Sequence, residues 1–214
     1  MQGVSHDCAV PHPRLILKRL GLVDYEPTWR AMQSFTAART SATADEFWLL
    51  QHLPVYTQGV AGRAAHLPRG RDDIPVVRID RGGQITYHGP GQVVAYLLLD
   101  MRRRGLTVRP LVRLMETAVI DLLAEYGISA AGRVEAPGVY AGVAKIAALG
   151  LRVTRGCCYH GLALNVDMDL SPFSAIDPCG YPGLTVTQLK DFGVADAPDI
   201  VADKLAHQLM KVLL

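Results

Sequence analysis

Apolar runs of strand period alternate along the chain with apolar stripes of helical period. Leu15 and Leu17 fall on one face and Ile16 and Lys18 on the other, which predicts a strand over residues 15–20. Trp29, Met32, Phe35 and Arg39 recur at helical spacing and predict a helix over 25–40, its stripe turned to the core. A short strand follows at 46–52, ended by Pro54. Residues 57–73 read as loop, punctuated by Gly59, Gly62, Pro68 and Gly70. Apolar runs at 74–80 and 92–99 then flank 81–91, where Gly82, Gly83, Gly89, Pro90 and Gly91 predict a polar loop joining two strands. The clearest helix is 108–126. Leu111, Leu114, Met115, Ala118, Val119, Leu122 and Leu123 recur at three and four, with Pro110 near the start and Gly127 just past the end. Residues 138–153 read as a hairpin of strands, 157–167 as another strand and 171–183 as irregular. A closing helix at 198–213 carries the stripe Ile200, Val201, Leu205, Leu209 and Leu213. Strands with interspersed helices and hairpin-like pairs indicate an α/β (α+β) fold, a mixed and largely antiparallel sheet flanked by helices. No internal repeat or linker interrupts it, so the expected organisation is a tail at 1–13 and a single domain at 14–214.

Composition narrows the class. Half of the 214 residues are apolar, as in a globular protein with a sizeable core. No apolar run reaches the roughly 20 residues of a membrane helix, and residues 1–13 contain no apolar signal core. The expected setting is therefore cytoplasmic, with no membrane partner. A formal net charge of +2 is too weak to point to nucleic acid. Arginines do cluster locally, at Arg63, Arg69 and Arg71 and again at Arg102, Arg103, Arg104, Arg109 and Arg113. Such clusters suit either a solvated surface or a landing patch for an acidic partner.

The segment 81–91 is chemically the most loaded stretch. Arg81, Gln84, Thr86, Tyr87 and His88 stand among glycines that let backbone approach a ligand closely. It is no phosphate loop of a known kind, because the Gly-x-x-x-x-Gly-Lys pattern is absent and a strand, not a helix, follows. Cys8, Cys157, Cys158 and Cys179 complete the thiol inventory, and in a cytoplasmic chain each is a packing residue, a metal ligand or a nucleophile. Cys179 lies between Pro178 and Gly180, a rigid turn that a substrate can approach. A buried structural thiol and a nucleophile both fit this setting. A nucleophile needs an activator, since a free thiol is only a few per cent ionised near neutral pH. Lys145, alone in the apolar run 143–150, is the candidate, either facing solvent or turned inward to favour a thiolate. Zinc is disfavoured: no Cys-x-x-Cys pair exists, and adjacent Cys157 and Cys158 point to opposite faces of a strand. His88 and His160 could act as bases or simply hold hydrogen bonds.

Taken together, four segments resemble the bacterial octanoyltransferases, also called lipoyl(octanoyl) transferases or the lipoate-protein ligase B family. They are residues 81–92 (RGGQITYHGPGQ), 136–152 around Lys145, 160–166 (HGLALNV) and 177–180 (DPCG). The resemblance extends from about residue 14 to the closing helix. It implies the fold of the biotin and lipoate ligase catalytic domains. It also implies transfer of an octanoyl group from acyl carrier protein to a lysine of lipoyl domains, those of 2-oxoacid dehydrogenase complexes and of the glycine cleavage H protein, with no cofactor and no metal. In that family pattern Cys179 matches the nucleophile that carries the acyl thioester, and Lys145 matches the residue that lowers its pKa and handles protons. Arg81, Gly82, Gly83, Gln84, Ile85, Thr86, Tyr87 and His88 match the first substrate-binding segment. Ala148, Leu149 and Gly150 match the second, and Gly161, Leu162 and Ala163 the third. The small side chains among them leave room for an eight-carbon chain, with Tyr87 and His88 expected to wall the pocket and the Arg102–Arg104 cluster to receive the acidic carrier. Two other functions remain in play on sequence alone: an ATP-dependent lipoate or biotin ligase of the same fold, and a non-catalytic module that binds acyl carriers or lipoyl domains.

Overall fold

The computed structural model describes residues 15–177 and 183–213. These form a seven-stranded sheet in the order β1-β2-β6-β10-β9-β8-β7 and a three-stranded sheet in the order β4-β3-β5. The strands are β1 (Leu15–Val23), β2 (Asp45–His52), β3 (Val55–Gln58), β4 (Val76–Arg78), β5 (Ile85–His88), β6 (Gln92–Asp100), β7 (Ala130–Gly132), β8 (Gly138–Ala141), β9 (Ala144–Thr154) and β10 (Cys157–Asn165). The helices are α1 (Tyr25–Ala38), α2 (Val108–Glu125) and α3 (Pro198–Leu213). Two pairings are parallel, β1 with β2 and β3 with β4, and the rest are antiparallel. The mixed, largely antiparallel sheet expected from the sequence is therefore present.

Strand β6 explains why its sequence reads as one unbroken apolar run. Val93, Ala95, Leu97 and Leu99 pack toward α2 and α3, while Val94, Tyr96 and Leu98 pack toward Met32 of α1. A strand covered on both faces needs no polar alternation. Strand β2 divides the same way, with Phe47 and Leu49 on one side and Trp48 and Leu50 on the other. Each large side chain fully buried here contributes about 1.5–3 kcal/mol.

Several boundaries differ from expectation, each for a local reason. Strand β1 continues past Leu20 to Val23, because a bulge at Gly21 absorbs the register shift. Helix α1 stops at Ala38, short of Thr40, as Arg39 turns extended and reaches Asp45 and the Leu98 carbonyl. Residues 57–73 are not all loop: Thr57 and Gln58 belong to β3, the centre of the small sheet, and Ala64–His66 form a 3-10 turn. Of the run 74–80 only Val76–Arg78 is strand, and β7 adds a short edge that the sequence did not announce. The segment 81–91 is not one loop either, since Ile85–His88 pair with β3. Residues 171–183 hold a 3-10 turn at Ser171–Ala175. Their remainder, with Cys179, falls partly outside the described residues.

Asp45 gathers charge from three directions. Its carboxylate is fully buried and accepts from Arg39, from Arg103 Nη2 at 2.8 Å, from Arg104 Nε at 2.6 Å and from the Asp100 amide at 2.8 Å. Arg104 also donates to the Leu213 carbonyl at 2.8 Å. Of the Arg102–Arg104 cluster, Arg104 is an internal clamp, Arg103 reaches in to Asp45 from the surface and Arg102 stays exposed. A buried carboxylate among arginines is costly to break from one side. Replacing Asp45 with Asn is expected to lower the unfolding free energy by about 3–5 kcal/mol in urea denaturation. A loss below about 1 kcal/mol would contradict this role.

His52, the last residue of β2, ties the end of β1 to the middle of β6. Its Nδ1–H donates to the Val23 carbonyl at 3.0 Å, so Nε2 accepts from the Tyr96 hydroxyl at 2.7 Å. Burial pushes its pKa down from 6.5 to about 4 against the raising effect of the Val23 bond. Burial holds His88 and His160 low as well. The unfolded chain binds these protons near pH 6.5 and the folded chain only at lower pH, so stability is complete above about 6.5 and declines as pH falls toward 4. The expected slope is about 1.4 kcal/mol per pH unit for each titrating histidine. Urea midpoints measured from pH 7 to 4 should show it, and His52→Gln should make it shallower; a flat profile in the unmodified protein would be the contrary result.

Candidate active site

The principal cavity has a volume of about 350 Å³ and lies against the β6–β10–β9 part of the large sheet. Its floor is made of small groups: Ala148 and Gly150 from β9, paired with Ala163 and Gly161 from β10, beside Val94 and Tyr96 of β6. One of these must be glycine, and a second is tightly placed. A Cβ on Gly161 would stand 2.1 Å from the Ala95 carbonyl oxygen. A Cβ on Gly150 would press to 3.2 Å from both Arg81 Cδ and the Gly82 carbonyl. Bare Gly150 lets the segment 81–88 lie directly across β9, where the Gly82 amide donates to the Leu151 carbonyl at 2.9 Å. Tyr25 from the start of α1 closes another wall. The exposed residues Val108, Glu135 and Pro137 mark the side open to solvent.

A continuous set of side-chain hydrogen bonds backs this cavity. Arg81 is buried, and its guanidinium donates to the Gly82 carbonyl at 2.9 Å and to the Thr57 carbonyl and hydroxyl at 2.7 and 2.9 Å. The Thr57 hydroxyl meets His88 Nε2 at 3.3 Å, and His88 Nδ1–H donates to Gln92 Oε1 at 2.7 Å. Gln92 Nε2 donates to Asn165 Oδ1, and Asn165 Nδ2 to the Thr187 carbonyl, both at 2.9 Å. The Thr187 amide donates in turn to the carbonyl of Lys145 at 3.0 Å.

Lys145 faces inward and is only 3% exposed, so of the two orientations open to a lone lysine in an apolar strand the buried one holds. Its Nζ donates to the Pro137 carbonyl at 3.2 Å and lies 5.2 Å from the Tyr140 ring centre. It borders a small hollow with Thr86 and Ala148, both of which also line the principal cavity.

The sequence-predicted binding residues converge with one exception. Arg81, Gly82, Gly83, Gln84, Ile85, Thr86, His88, Ala148, Leu149, Gly150, Gly161, Leu162 and Ala163 all border the cavity. Tyr87 does not. It turns the other way and packs against Tyr56 and Phe173, each at 5.5 Å between ring centres. Strand alternation accounts for it, since His88 faces the cavity and its neighbour must face away. Cys179 and Cys8 lie outside the described residues. Cys158 is buried against the Leu97 carbonyl, and burial raises its thiol to about 12. Cys157 lies on the opposite side of the strand, beside Arg39. Among the described residues no group of His, Cys, Asp or Glu is arranged to hold a metal ion, and no helix is long and apolar enough to cross a membrane.

At the far end of the cavity, sequence reasoning missed Tyr25, Tyr96 and Asp80, and offered His160 only as a possible base or hydrogen-bonding residue. Tyr25, Tyr96 and His160 line this end, and Asp80 stands behind them. The Tyr25 hydroxyl is bonded to that of Tyr96, and burial raises both well above the ordinary phenol value. Asp80 accepts from Trp29 Nε1 at 2.8 Å, Gln33 Nε2 at 3.0 Å, Tyr159 Oη and His160 Nε2 at 3.2 Å. Burial by itself raises this carboxyl, but the four donors outweigh it and hold Asp80 well below the usual carboxylate range. Trp29 and Gln33 stand four apart on α1, the one signal in the sequence that both point at a common partner.

Comparison with known proteins places this architecture. A family model describing the lipoyl protein ligase A/B catalytic domain matches residues 24–213. The octanoyltransferase of Azoarcus sp. strain BH72 is 65% identical over 212 residues, covering 99% of this chain and 92% of that protein. The octanoyltransferase of Nitrosospira multiformis is 63% identical over 94% of this chain and 93% of its own. Among solved structures, lipoate-protein ligase A bound with ATP superposes with a TM-score of 0.74 at 20% identity, over 94% of this chain and 85% of its own. Biotin protein ligase from Aquifex aeolicus in complex with biotin and ATP superposes with a TM-score of 0.57 at 14% identity, over 94% and 70%. At such identities the two structures speak for the fold alone. The family match across most of the chain, with relatives 63–65% identical over nearly all of theirs, makes the chain a member of the octanoyltransferases within the lipoyl protein ligase A/B catalytic-domain family.

Proposed function

We propose that this acyltransferase moves an octanoyl group from the thioester of acyl carrier protein to a lysine of lipoyl domains, through an acyl-enzyme on Cys179. The observation that supports the chemistry best is the position of Lys145: a buried amine beside a largely apolar cavity, on the strand that supplies part of the cavity floor. The chain returns to this lysine soon after residue 182. Lys145 and Val186 bridge in parallel, and the Lys145 amide donates to the Thr185 carbonyl at 2.9 Å.

In the proposed cycle the Cys179 thiol passes its proton to Lys145, and the thiolate attacks the donor carbonyl. The Lys145 ammonium then protonates the departing carrier thiolate. The acceptor amine next attacks the Cys179 thioester, an amide forms, and Lys145 relays the released proton to the leaving Cys179 sulfur. Thioester and thiolate exchange at similar energy, so the route needs no ATP. The acyl chain lies over Ala148, Gly150, Gly161 and Ala163, where burial contributes about 0.8 kcal/mol per methylene. The small side chains leave room for the chain, and the glycines let the segment 81–88 close over it.

Intact-mass measurement after mixing with octanoyl-acyl carrier protein, without ATP, should show one octanoyl adduct that Cys179→Ala abolishes. An adduct that survives this substitution, or transfer that needs free octanoate and ATP, would overturn the reading in favour of ligase chemistry. Lys145→Ala should raise the pH midpoint for alkylation of Cys179 by iodoacetamide by about 1–3 units, the size of effect expected from a neighbouring cation. An unchanged midpoint would remove Lys145 from the activating role.

A further inference from the structure

The peptide group between Pro137 and Gly138 is bonded on both of its edges. Its carbonyl accepts from Lys145 Nζ at 3.2 Å, and its N–H donates to Glu116 Oε1 at 3.1 Å. Glu116 belongs to α2 and stands one turn after Val112, which lines the cavity. The surroundings are shaped to this contact. A Cβ on Gly138 would stand 2.8 Å from the Ala147 carbonyl oxygen and 2.9 Å from Lys145 Cε, and its φ of 148° favours glycine. A Cβ on Gly132, in the edge strand β7, would stand 2.9 Å from Glu116 Oε2. Bare Gly132 thus seats the carboxylate, and bare Gly138 lets the lysine stem run against the peptide that receives its amine. Tyr140 holds the residue before: its hydroxyl donates to the Ala136 carbonyl at 2.9 Å, and its ring carries the Arg133 guanidinium at 4.0 Å.

Resting on the octanoyl-transfer reading above, in which Lys145 activates Cys179, we infer that Glu116 is a positioning residue for Lys145 and acts through this one peptide group. The C=O and N–H of a trans peptide lie in one plane and point in opposite directions, so fixing one fixes the other. A carboxylate is a stronger acceptor for the N–H than a neutral oxygen. A peptide bonded at its N–H is in turn a better acceptor at its carbonyl. Glu116 therefore sets where the Pro137 carbonyl points and how firmly it holds the amine at the edge of the cavity. Without the carboxylate, that carbonyl loses the bond that fixes its plane, and Lys145 loses a fixed place from which to meet the thiol.

The test is a double-mutant cycle read by the rate at which iodoacetamide alkylates Cys179 near neutral pH, in the unmodified protein, Glu116→Ala, Lys145→Ala and the pair. Glu116→Ala is expected to slow alkylation about three- to tenfold. It should slow octanoyl transfer through kcat and leave KM for octanoyl-acyl carrier protein unchanged. In the Lys145→Ala background it should slow alkylation no further. Glu116→Gln keeps an acceptor oxygen for the Gly138 amide and should restore most of the lost rate. Glu116→Asp keeps the charge but draws the acceptor back by one methylene, and it replaces the alanine variant in the cycle if that one does not fold. Equal slowing in both backgrounds, an unchanged rate in Glu116→Ala, or a Gln variant as slow as Ala would overturn the inference and leave octanoyl transfer standing. Undiminished alkylation in Lys145→Ala would instead overturn the activating role of Lys145, and this inference with it.

Discussion

The cavity depends on two paired glycines, one that lets backbone cross the sheet and one that lets β10 lie close to β6. Gly161 and Gly150 are direct partners in adjacent strands: a Cβ on Gly150 would press on Arg81 and the Gly82 carbonyl, and one on Gly161 would strike the backbone of β6. The missing side chain at Gly150 sets where the segment 81–88 can lie and lets Arg81 pass over β9 into the protein. A methyl group at Gly161 would collide with the backbone of β6, which no side-chain adjustment relieves. The binding volume is therefore built partly by subtraction: a sheet covered on both faces at β6 carries small side chains where the segment 81–88 crosses β9.

Charge is organised toward the interior. Arg81 donates to three oxygens inside the protein, and Arg39, Arg103 and Arg104 share Asp45. A run of three arginines suggested a surface patch because the sequence cannot show that a carboxylate more than fifty residues earlier is fully buried among them. The same limit applies to Asp80. Its donors come from α1 and β10, and nothing in its own neighbourhood of the chain announces a hub.

What was legible followed local periodicity. Helices α2 and α3 appear at their expected places because an apolar stripe of period 3.6 and a proline or glycine at the ends are local signals. Strand β6 was legible as a continuous apolar run, though its double burial was not. Strands β3 and β5 were read as loop because Thr57, Gln58, Thr86 and His88 are polar and glycines border them, yet each is the other's partner. Pairing across about thirty residues of irregular chain has no period to detect. The binding segments came from motif resemblance, and the structure brings nearly all of them to one cavity. Tyr87 failed because strand alternation, which decides the face, was not visible while its segment was taken as loop.

The hydrogen-bond chain from Arg81 to Thr187 has a fixed direction. A guanidinium has no lone pair to offer, and a peptide carbonyl has no proton to give, so the two ends permit one sense only. Every proton along it points away from Arg81: from Thr57 to His88, from His88 to Gln92, from Gln92 to Asn165 and from Asn165 to the Thr187 carbonyl. His88 is thereby held to a single tautomer with both nitrogens occupied. Exchanging its proton would require Gln92 and Asn165 to reverse together against an end that cannot reverse. Despite its place in the cavity wall, His88 is a fixed strut that orients Thr57 and Arg81, and the movement of protons is left to other groups.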